Sequence, residues 1–391
     1  MAETSDLKRL NILFLPAWYP SDRHPIMGTF VREHAKAAAR YHNVSVLYAS
    51  RGEKVKGGIW GVTSDRMEDG IRIVRINWRG LRSPVLLFFF HLWGILAAYR
   101  YLQRTGFQAD IIHAHIYVAA PAAVLLGKLL RKPVIVTEQT SLFLRGDVKG
   151  QQLLVTRWAL RRANMILPVS AWLQQSMQSV GVQGKYRVVP NTVDTELFFP
   201  LPDGHMDRAD DMMPRLLTVG LLTEPKGIPV LLRAVHILKR KGKRFHLDIV
   251  GDGRERADYE KISIDLGLHD VVTFHGLKDK AEVAGFMRRC AFYIQASLWE
   301  TFCAAIVEAM ACGKPIVGTQ IPVFEEKVGK AMGILVPPGD EDALASAMED
   351  MLERYESFDG NLIAETAHKR FGHDAVGKAL SDVYDEVRRQ C

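Results

Sequence analysis

The sequence predicts an α/β protein of two domains, each a parallel sheet with helices on both faces. Three observations lead there. Short apolar runs alternate with helix-period stretches through the first half of the chain, and the same alternation recurs through the second. Between the halves lies Leu201–Pro214 (LPDGHMDRADDMMP), polar, acidic and proline-bounded, which reads as an interdomain linker. The 391 residues are enough for two ordinary domains, and 48% hydrophobic with 24% charged residues is the composition of a soluble globular protein.

In order, Leu10–Leu15 is an apolar run that reads as a strand. A Pro/Gly loop and an amphipathic stretch, Phe30–Arg40, follow it. Val44–Tyr48, Ile71–Ile76, Ile111–His113 and Val134–Thr137 read as further short strands. Pro84–Ala98 (PVLLFFFHLWGILAA) is apolar, contains His91 and is flanked by Arg82 and Arg100. It falls short of the roughly 20 residues a spanning helix needs, so a buried or interfacial helix is expected. The second half repeats the pattern at Arg215–Val219, His246–Val250, Val272–Phe274, Phe292–Gln295 and Ile316–Gly318. Phe302–Cys312 reads as a helix, with Gly313 suited to a left-handed end and Pro315 unable to continue it. Arg370–Arg389 has helical periodicity. No short internal repeat or low-complexity tract is present.

Charge is uneven. Residues 1–200 carry 26 Lys or Arg against 13 Asp or Glu, a net +13; with +7 overall, residues 201–391 carry −6. A basic half attracts phosphates, an anionic membrane surface or nucleic acid; a generally solvated basic surface is the plain alternative. Cys290, Cys303, Cys312 and Cys391 show no C-x-x-C pairing and read as reduced, mostly buried thiols. The start, MAETSDLKRLNILFLP, leads into a strand with no charged and apolar leader, which predicts a cytoplasmic protein.

The most informative residues are Glu300 and Glu308, in Ser297–Thr319 (SLWETFCAAIVEAMACGKPIVGT). Glu300 lies just before a helix N-terminus, whose free N–H groups and partial positive charge suit a diphosphate. At about 1.5 Å per residue, Glu308 falls roughly 7–8 Å behind it, about the reach from a diphosphate to its ribose. A carboxylate accepts two hydroxyl hydrogen bonds, so Glu308 can hold a ribose diol and Glu300 the hydroxyls of a second sugar. An isolated E-x7-E is ordinarily two solvated glutamates on a buried helix; here the flanking sequence favours the site.

That segment resembles the donor-binding motif of retaining glycosyltransferases of family 4, which have the GT-B fold: two Rossmann-like domains facing a cleft. Four more stretches resemble the same family in the correct order: Pro16–Ala39, Val188–Pro200, Leu216–Ala234 and Gly333–Met348. The first is similar to the opening loop of members that build bacterial surface polysaccharides. The resemblance implies an acceptor-side domain over 1–200, a linker over 201–214, a nucleotide-sugar domain over 215–371, and a C-terminal helix, about 372–391, crossing back. It implies a retaining hexosyltransferase moving sugar from a UDP- or GDP-sugar to a glycan or lipid-linked acceptor, with peripheral contact to an anionic membrane.

The resemblance assigns the donor site to Gly28, Gly220, Lys226, Arg254, His275, Gly276, Leu277, Glu300, Thr301, Phe302, Cys303, Ala304 and Glu308. Lys226 is the cation for the departing diphosphate, Gly28 allows close backbone approach, and His275–Leu277 belong to the base pocket. Glu300, Lys226 and Gln139 are the expected catalytic residues. His113, His115 and Tyr117 are placed on the acceptor side. His113 and His115 form an H-x-H whose side chains share one face if extended. A structural pair is the alternative, and no third ligand suggests a metal. Asn191 and Ser170 sit at positions that order the cleft. No cofactor and no metal is expected: the one D-x-D, Asp340–Asp342, precedes an amphipathic helix and reads as an N-cap.

Two residues depart from the family pattern. Leu221 stands where an arginine commonly provides a second phosphate cation; either another cation such as Arg254 compensates, or donor turnover is weak. Gln139 stands where histidine is common; it can hydrogen-bond a sugar hydroxyl but cannot carry a proton charge. These departures motivate the alternative of a degenerate, non-catalytic nucleotide- or glycan-binding partner protein. An NTPase or dehydrogenase is disfavoured: no G-x-x-x-x-G-K-[ST] occurs, no G-x-G-x-x-G follows the first strand, and Gly251-Asp252-Gly253 lacks the third glycine. Nucleic-acid binding has only the basic first half behind it.

Overall fold

A computed structural model describes residues 9–21, 24, 26–51, 60–78, 84–201 and 213–390. The chain divides into two compact units, Met1–Thr192 with His373–Cys391, and Val193–Gly372. The expected linker lies almost wholly outside the described residues, as does Cys391. The first unit ends at residue 192 rather than 200. Val193 is already tied to the second unit: its N–H donates to the Phe371 carbonyl at 2.8 Å, and Arg288 donates to the Leu197 carbonyl at 2.8 Å.

The first unit runs β1 (Asn11–Pro16), α1 (Thr29–Ala39), β2 (Asn43–Arg51), β3 (Trp60–Glu68), β4 (Ile71–Trp78), α2 (Pro84–Arg104), β5 (Ile111–His115), α3 (Ala120–Leu130), β6 (Val134–Glu138), α4 (Gly150–Leu160), β7 (Met165–Pro168) and α5 (Ala171–Ser179). The second runs β8 (Arg215–Val219), α6 (Ile228–Arg240), β9 (His246–Val250), α7 (Arg256–Asp265), β10 (Val272–Gly276), α8 (Lys280–Arg289), β11 (Phe292–Gln295), α9 (Ala304–Ala311), β12 (Ile316–Thr319), α10 (Pro322–Glu325), β13 (Gly333–Val336), α11 (Glu341–Arg354) and α12 (Gly360–Phe371). The last helix, α13 (His373–Arg389), belongs to the first unit.

The first sheet has the order β3-β4-β2-β1-β5-β6-β7 and the second β10-β9-β8-β11-β12-β13. Every pairing is parallel except β3 with β4. The sequence reading missed β3, β7 and β13. β3 is a polar, largely exposed edge strand turned by Asp69 and Gly70, both at positive φ. β7 and β13 are four-residue strands at sheet edges, too short to show a period.

Strand order reverses between β1 and β5 in one sheet and between β8 and β11 in the other. At such switch points the loops beyond the strand C-termini separate, leaving a place for ligands. In the first unit α13 is part of the core. It packs on α1 at Gly377, where a Cβ would lie 2.3 Å from the Ala37 carbonyl oxygen. Polar contacts fix its register: His42 to Ser381 at 2.9 Å, Glu33 to His373 at 2.9 Å, and the Tyr384 hydroxyl to His113 Nδ1 at 2.8 Å.

His34, His113 and His115 are all fully buried in that core. His113 and His115 stack at 4.3 Å between ring centroids, and Phe14 lies 4.5 Å from His115. Burial holds His34 down at about pKa 4, and holds His113 and His115 well below the usual imidazole value. Unfolded, these residues bind protons near pH 6.5; folded, they do not. Their contribution to stability is therefore complete above about pH 6.5 and is lost as pH falls toward 4. The unfolding midpoint is expected to drop steadily from about pH 7 to about pH 4.5, with a shallower slope in His115→Phe. A midpoint independent of pH in both proteins would contradict this.

Candidate functional site

The β8–β11 switch point gathers the polar residues of the second unit. After Val219 the chain passes through Gly220–Leu222 into a short 3-10 turn, Glu224–Lys226, and then Gly227 at φ 66 leads into α6. Three glycines let neighbouring loops touch backbone to backbone. A Cβ on Gly227 would lie 2.0 Å from the Ala296 carbonyl oxygen, one on Gly251 1.9 Å from that of Gly220, and one on Gly253 2.2 Å from that of Leu222. No other residue type fits such contacts. The loops after β8, β9 and β11 are thereby locked together.

This closeness brings Lys226 Nζ to 2.5 Å from Glu300 Oε1, with the two side chains 21% and 12% exposed. Behind Glu300 runs a chain of hydrogen bonds along one face of β11. Ser297 Oγ donates to Glu300 Oε1 at 3.0 Å, Gln295 Nε2 to Ser297 Oγ at 2.8 Å, and the Tyr293 hydroxyl to Gln295 Oε1 at 2.6 Å. The Tyr293 hydroxyl also accepts from the Val219 N–H at 3.3 Å, closing the chain onto β8. Tyr293 and Gln295 share a face of β11 because alternate strand residues point the same way, and Ser297 follows just beyond the strand. For Lys226, desolvation is the largest single influence and pulls the pKa down. The Glu300 and Cys303 charges and the Glu300 hydrogen bond together outweigh it, so the net shift is upward. The ammonium stays charged at neutral pH.

The expected helix over 302–312 is shorter than predicted. α9 begins at Ala304 because Cys303 has φ 59, in the left-handed region that a right-handed helix excludes. Glu308 is the fifth helical residue, about 6 Å along the axis from Ala304. The helix ends as expected: Gly313 at φ 74 donates to the Met310 carbonyl and Lys314 to that of Ala309. Burial pushes the Cys303 thiol up to about 12, with the Glu300 charge acting the same way.

Beneath this loop lies a residue the sequence reading missed. Lys327 is only 3% exposed, donates to the Val323 carbonyl at 3.0 Å, and holds its ammonium 4.4 Å from the Phe302 ring centroid. Burial lowers its pKa to about 8. In FEEKVGK it is indistinguishable from an exposed lysine. Gln295 and Ser297 were legible in principle, since polar residues at every second position of an apolar run mark an internal hydrogen-bonded face.

The other assigned positions fall variously. His275 Nε2 sits 2.7 Å from Asp248 Oδ1, its ring 4.6 Å from that of Phe286, so the imidazole is committed to the sheet face under α8. Next to it Gly276 is at φ 68 and Leu277 is 56% exposed. Arg254 stands 75% exposed and paired with Glu255. Leu221 is likewise exposed. Asp340 caps α11 through the Ala343 N–H at 2.8 Å, and Glu341 pairs with Arg233 at 2.7 Å.

In the first unit, Gly28 at φ 78 begins α1, and a Cβ there would lie 2.5 Å from the Trp18 carbonyl oxygen. Its own loop already requires a glycine. His113 and His115 correct the acceptor-side expectation. His113 has Tyr384 and Thr137 on its two nitrogens, and His115 is sealed among aromatic rings. The shared face is real, but its role is packing. Tyr117 is 3% exposed, and its hydroxyl accepts from Gln152 at 2.6 Å. Gln139 donates to Asn191 Oδ1 at 2.8 Å. Ser170 caps α5 through the Leu173 N–H at 3.1 Å. The unpredicted organiser here is buried Glu138, whose carboxylate accepts from the N–H groups of Tyr117, Gln139 and Thr140 at 2.7, 3.0 and 2.7 Å. It ties together the loops that follow β5 and β6.

Residues 207–366 match the family model described as glycosyl transferases group 1, and residues 27–197 match that described as glycosyltransferase family 4. The chain is 28% identical over 260 residues to the amylovoran biosynthesis glycosyltransferase AmsK of Erwinia amylovora, covering 63% of this chain and 62% of AmsK. It therefore matches less than two thirds of that relative's length. It is 28% identical over 311 residues to the 2-deoxystreptamine glucosyltransferase of Streptomyces kanamyceticus, covering 73% and 79%. The structure of Anabaena Alr3699/HepE in complex with UDP and glucose superposes with a TM-score of 0.74 at 17% identity, covering 97% of this chain and 100% of HepE. That likeness establishes the fold as GT-B.

Two outcomes follow from the packing. In Glu300→Gln the charge that raises Lys226 is gone while burial remains. The Lys226 pKa, read from NMR of labelled lysine, is then expected below the ordinary value of about 10.4; an unchanged value would show that the ion pair does not set it. Gly227→Ala puts a methyl into the Ala296 carbonyl at a left-handed position and is expected to cost more than about 2 kcal/mol in denaturant unfolding. A loss within about 0.5 kcal/mol would mean the loops are not locked there.

Proposed function

The chain belongs to the group 1 and family 4 glycosyltransferases, and we propose that it moves a sugar from a nucleotide-sugar donor to a glycan or lipid-linked acceptor in polysaccharide biosynthesis, with retention and without a metal ion. The observation that carries this reading is the Lys226–Glu300 pair held at the switch point in front of α9. A charged, half-enclosed ammonium facing a helix N-terminus suits a departing diphosphate. Glu300, anchored by Ser297, positions sugar hydroxyls and Lys226 together. Glu308 takes the ribose diol, and the backbone from Thr301 to Ala304 takes the phosphates. Gly220 runs beside the Lys226 stem, whose Cε lies 3.5 Å from where a Cβ would be, an ordinary contact.

In the proposed step the bond between anomeric carbon and phosphate oxygen breaks as the acceptor oxygen bonds to the same face of that carbon. The acceptor proton passes to the leaving phosphate oxygen, so no protein base is required. Metal independence is favoured by the place of the one D-x-D at the start of α11, where Asp340 caps the helix. A uridine donor is the first to try, because structures of HepE hold UDP and UDP-glucose. The intact Lys226–Glu300 pair weighs against the degenerate reading. We place the reaction on the cytoplasmic side. No helix among the described residues is long and apolar enough to cross a membrane.

A panel of UDP- and GDP-sugars in excess EDTA tests the proposal. One donor is expected to raise the melting temperature, and Glu308→Ala to abolish that shift. Nucleotide release with transfer should persist in EDTA and fall about 10²–10³-fold in Lys226→Met. Loss of turnover in EDTA, or an inverted anomer in the product, would overturn the corresponding part.

A further inference from the structure

We propose that Lys327 is a positioning cation of the candidate donor site: without touching the donor, its buried ammonium holds the Phe302 ring in place and adds positive charge behind the start of α9, where the diphosphate would lie. This role rests on the donor reading of the Glu300–Ala304 loop and adds a residue to it. Lys327 follows directly on α10 and points inward. It is 3% exposed and Phe302 2%, with the ammonium 4.4 Å from the ring centroid. The same ring meets Phe371 of α12 edge-on, at 5.7 Å between centroids and 78° between planes. Phe302 is therefore held by a helix and by a cation at once. Cys303 follows it at φ 59, the turn from which α9 starts, so a fixed ring fixes where the first helical N–H groups point.

The surroundings leave this ammonium short of counter-charge. Among the described residues its partners are the Val323 carbonyl at 3.0 Å and the Phe302 ring, not a carboxylate. Glu326, next to it in the chain, is exposed, and exposed Arg370 on α12 acts against it. Glu300 attracts the ammonium but already receives Lys226 and Ser297. The Cys303 thiol, pushed up to about 12, stays neutral and offers no charge. Burial therefore dominates and lowers the Lys327 pKa to about 8. A buried cation without a matched anion is costly, and an anion arriving nearby relieves that cost. A diphosphate in front of α9 raises the Lys327 pKa, and by linkage a charged Lys327 tightens diphosphate binding by the same factor. Lys226, shifted upward by Glu300, stays charged through this range, so titration near pH 8 belongs to Lys327.

Calorimetric titration of the full chain with UDP, and with GDP where UDP does not bind, in buffers of different ionisation enthalpy, provides the test. At pH 8.5 the nucleotide phosphates are fully ionised, so a proton taken up on binding goes to the protein. The wild type is expected to take up about half a proton there, and Lys327→Met none. Wild-type affinity is expected to fall about tenfold between pH 7 and pH 9.5. Lys327→Met should bind about tenfold more weakly than the wild type at pH 7 and equally at pH 9.5. Lys327→Arg, charged throughout, should keep its affinity at pH 9.5. Melting temperatures show which variants fold; should the methionine variant fail, wild-type proton uptake and the arginine variant decide. No uptake by the wild type at pH 8.5, or uptake unchanged in Lys327→Met, would overturn the proposal. So would a loss in Lys327→Met that is equal at both pH values, because the side chain would then serve packing alone. Binding of neither nucleotide would overturn the donor reading and this role with it, whereas nucleotide binding that ignores pH overturns this role alone.

Discussion

The candidate site depends on how closely the β8–α6 loop approaches the end of β11. Gly227 and Ala296 meet backbone to backbone, at a distance that leaves no space for a side-chain carbon. Only with that contact does a lysine from one loop reach a carboxylate from another at 2.5 Å. Leu298 reinforces it by donating to the Pro225 carbonyl at 2.8 Å. The contact also allows burial of a charged pair. Two ions withdrawn from water need good geometry and further hydrogen bonds, and here Ser297, Gln295 and Tyr293 continue the network into the strand.

The same arrangement explains why the site stands where it does. In a parallel sheet the strand C-termini lie at one edge, and successive loops turn away from each other where the strand order reverses. β8 and β11 are neighbours at that point, so the loops carrying Lys226 and Glu300 open side by side. The first unit uses the corresponding place differently. Loops after β5 and β6 are fastened to one buried carboxylate, Glu138, while the histidines of β5 turn inward to α13. One architecture thus places an enclosed ion pair at the switch point of the second unit and packed imidazoles in the first. In the first unit, burial favours imidazoles that stay uncharged.

Much of this was legible in the sequence. Five stretches in order identified the family and fold, and the spacing of Glu300 and Glu308 around a small-residue helix is what the proposed donor side rests on. The N-cap at Asp340 and the left-handed end at Gly313 followed from local backbone chemistry, which depends on near neighbours alone. The start of α9 was misplaced by two residues, because Cys303 adopts a conformation that sequence gives no reason to expect of a cysteine.

By itself the sequence determined the periodic features: which runs are strands, where helices end, which half is basic, and which motifs stand in which order. These depend on residues close in the chain or on summed composition. Tertiary structure alone decided the partners. It turned His113 and His115 from a possible acceptor contact into core, buried Lys327 under Phe302, and joined Lys226 to Glu300 across 74 residues. The physical reason is that burial and pairing are set by neighbours distant in sequence, and no local pattern records which charged side chain will be enclosed and which will remain in water.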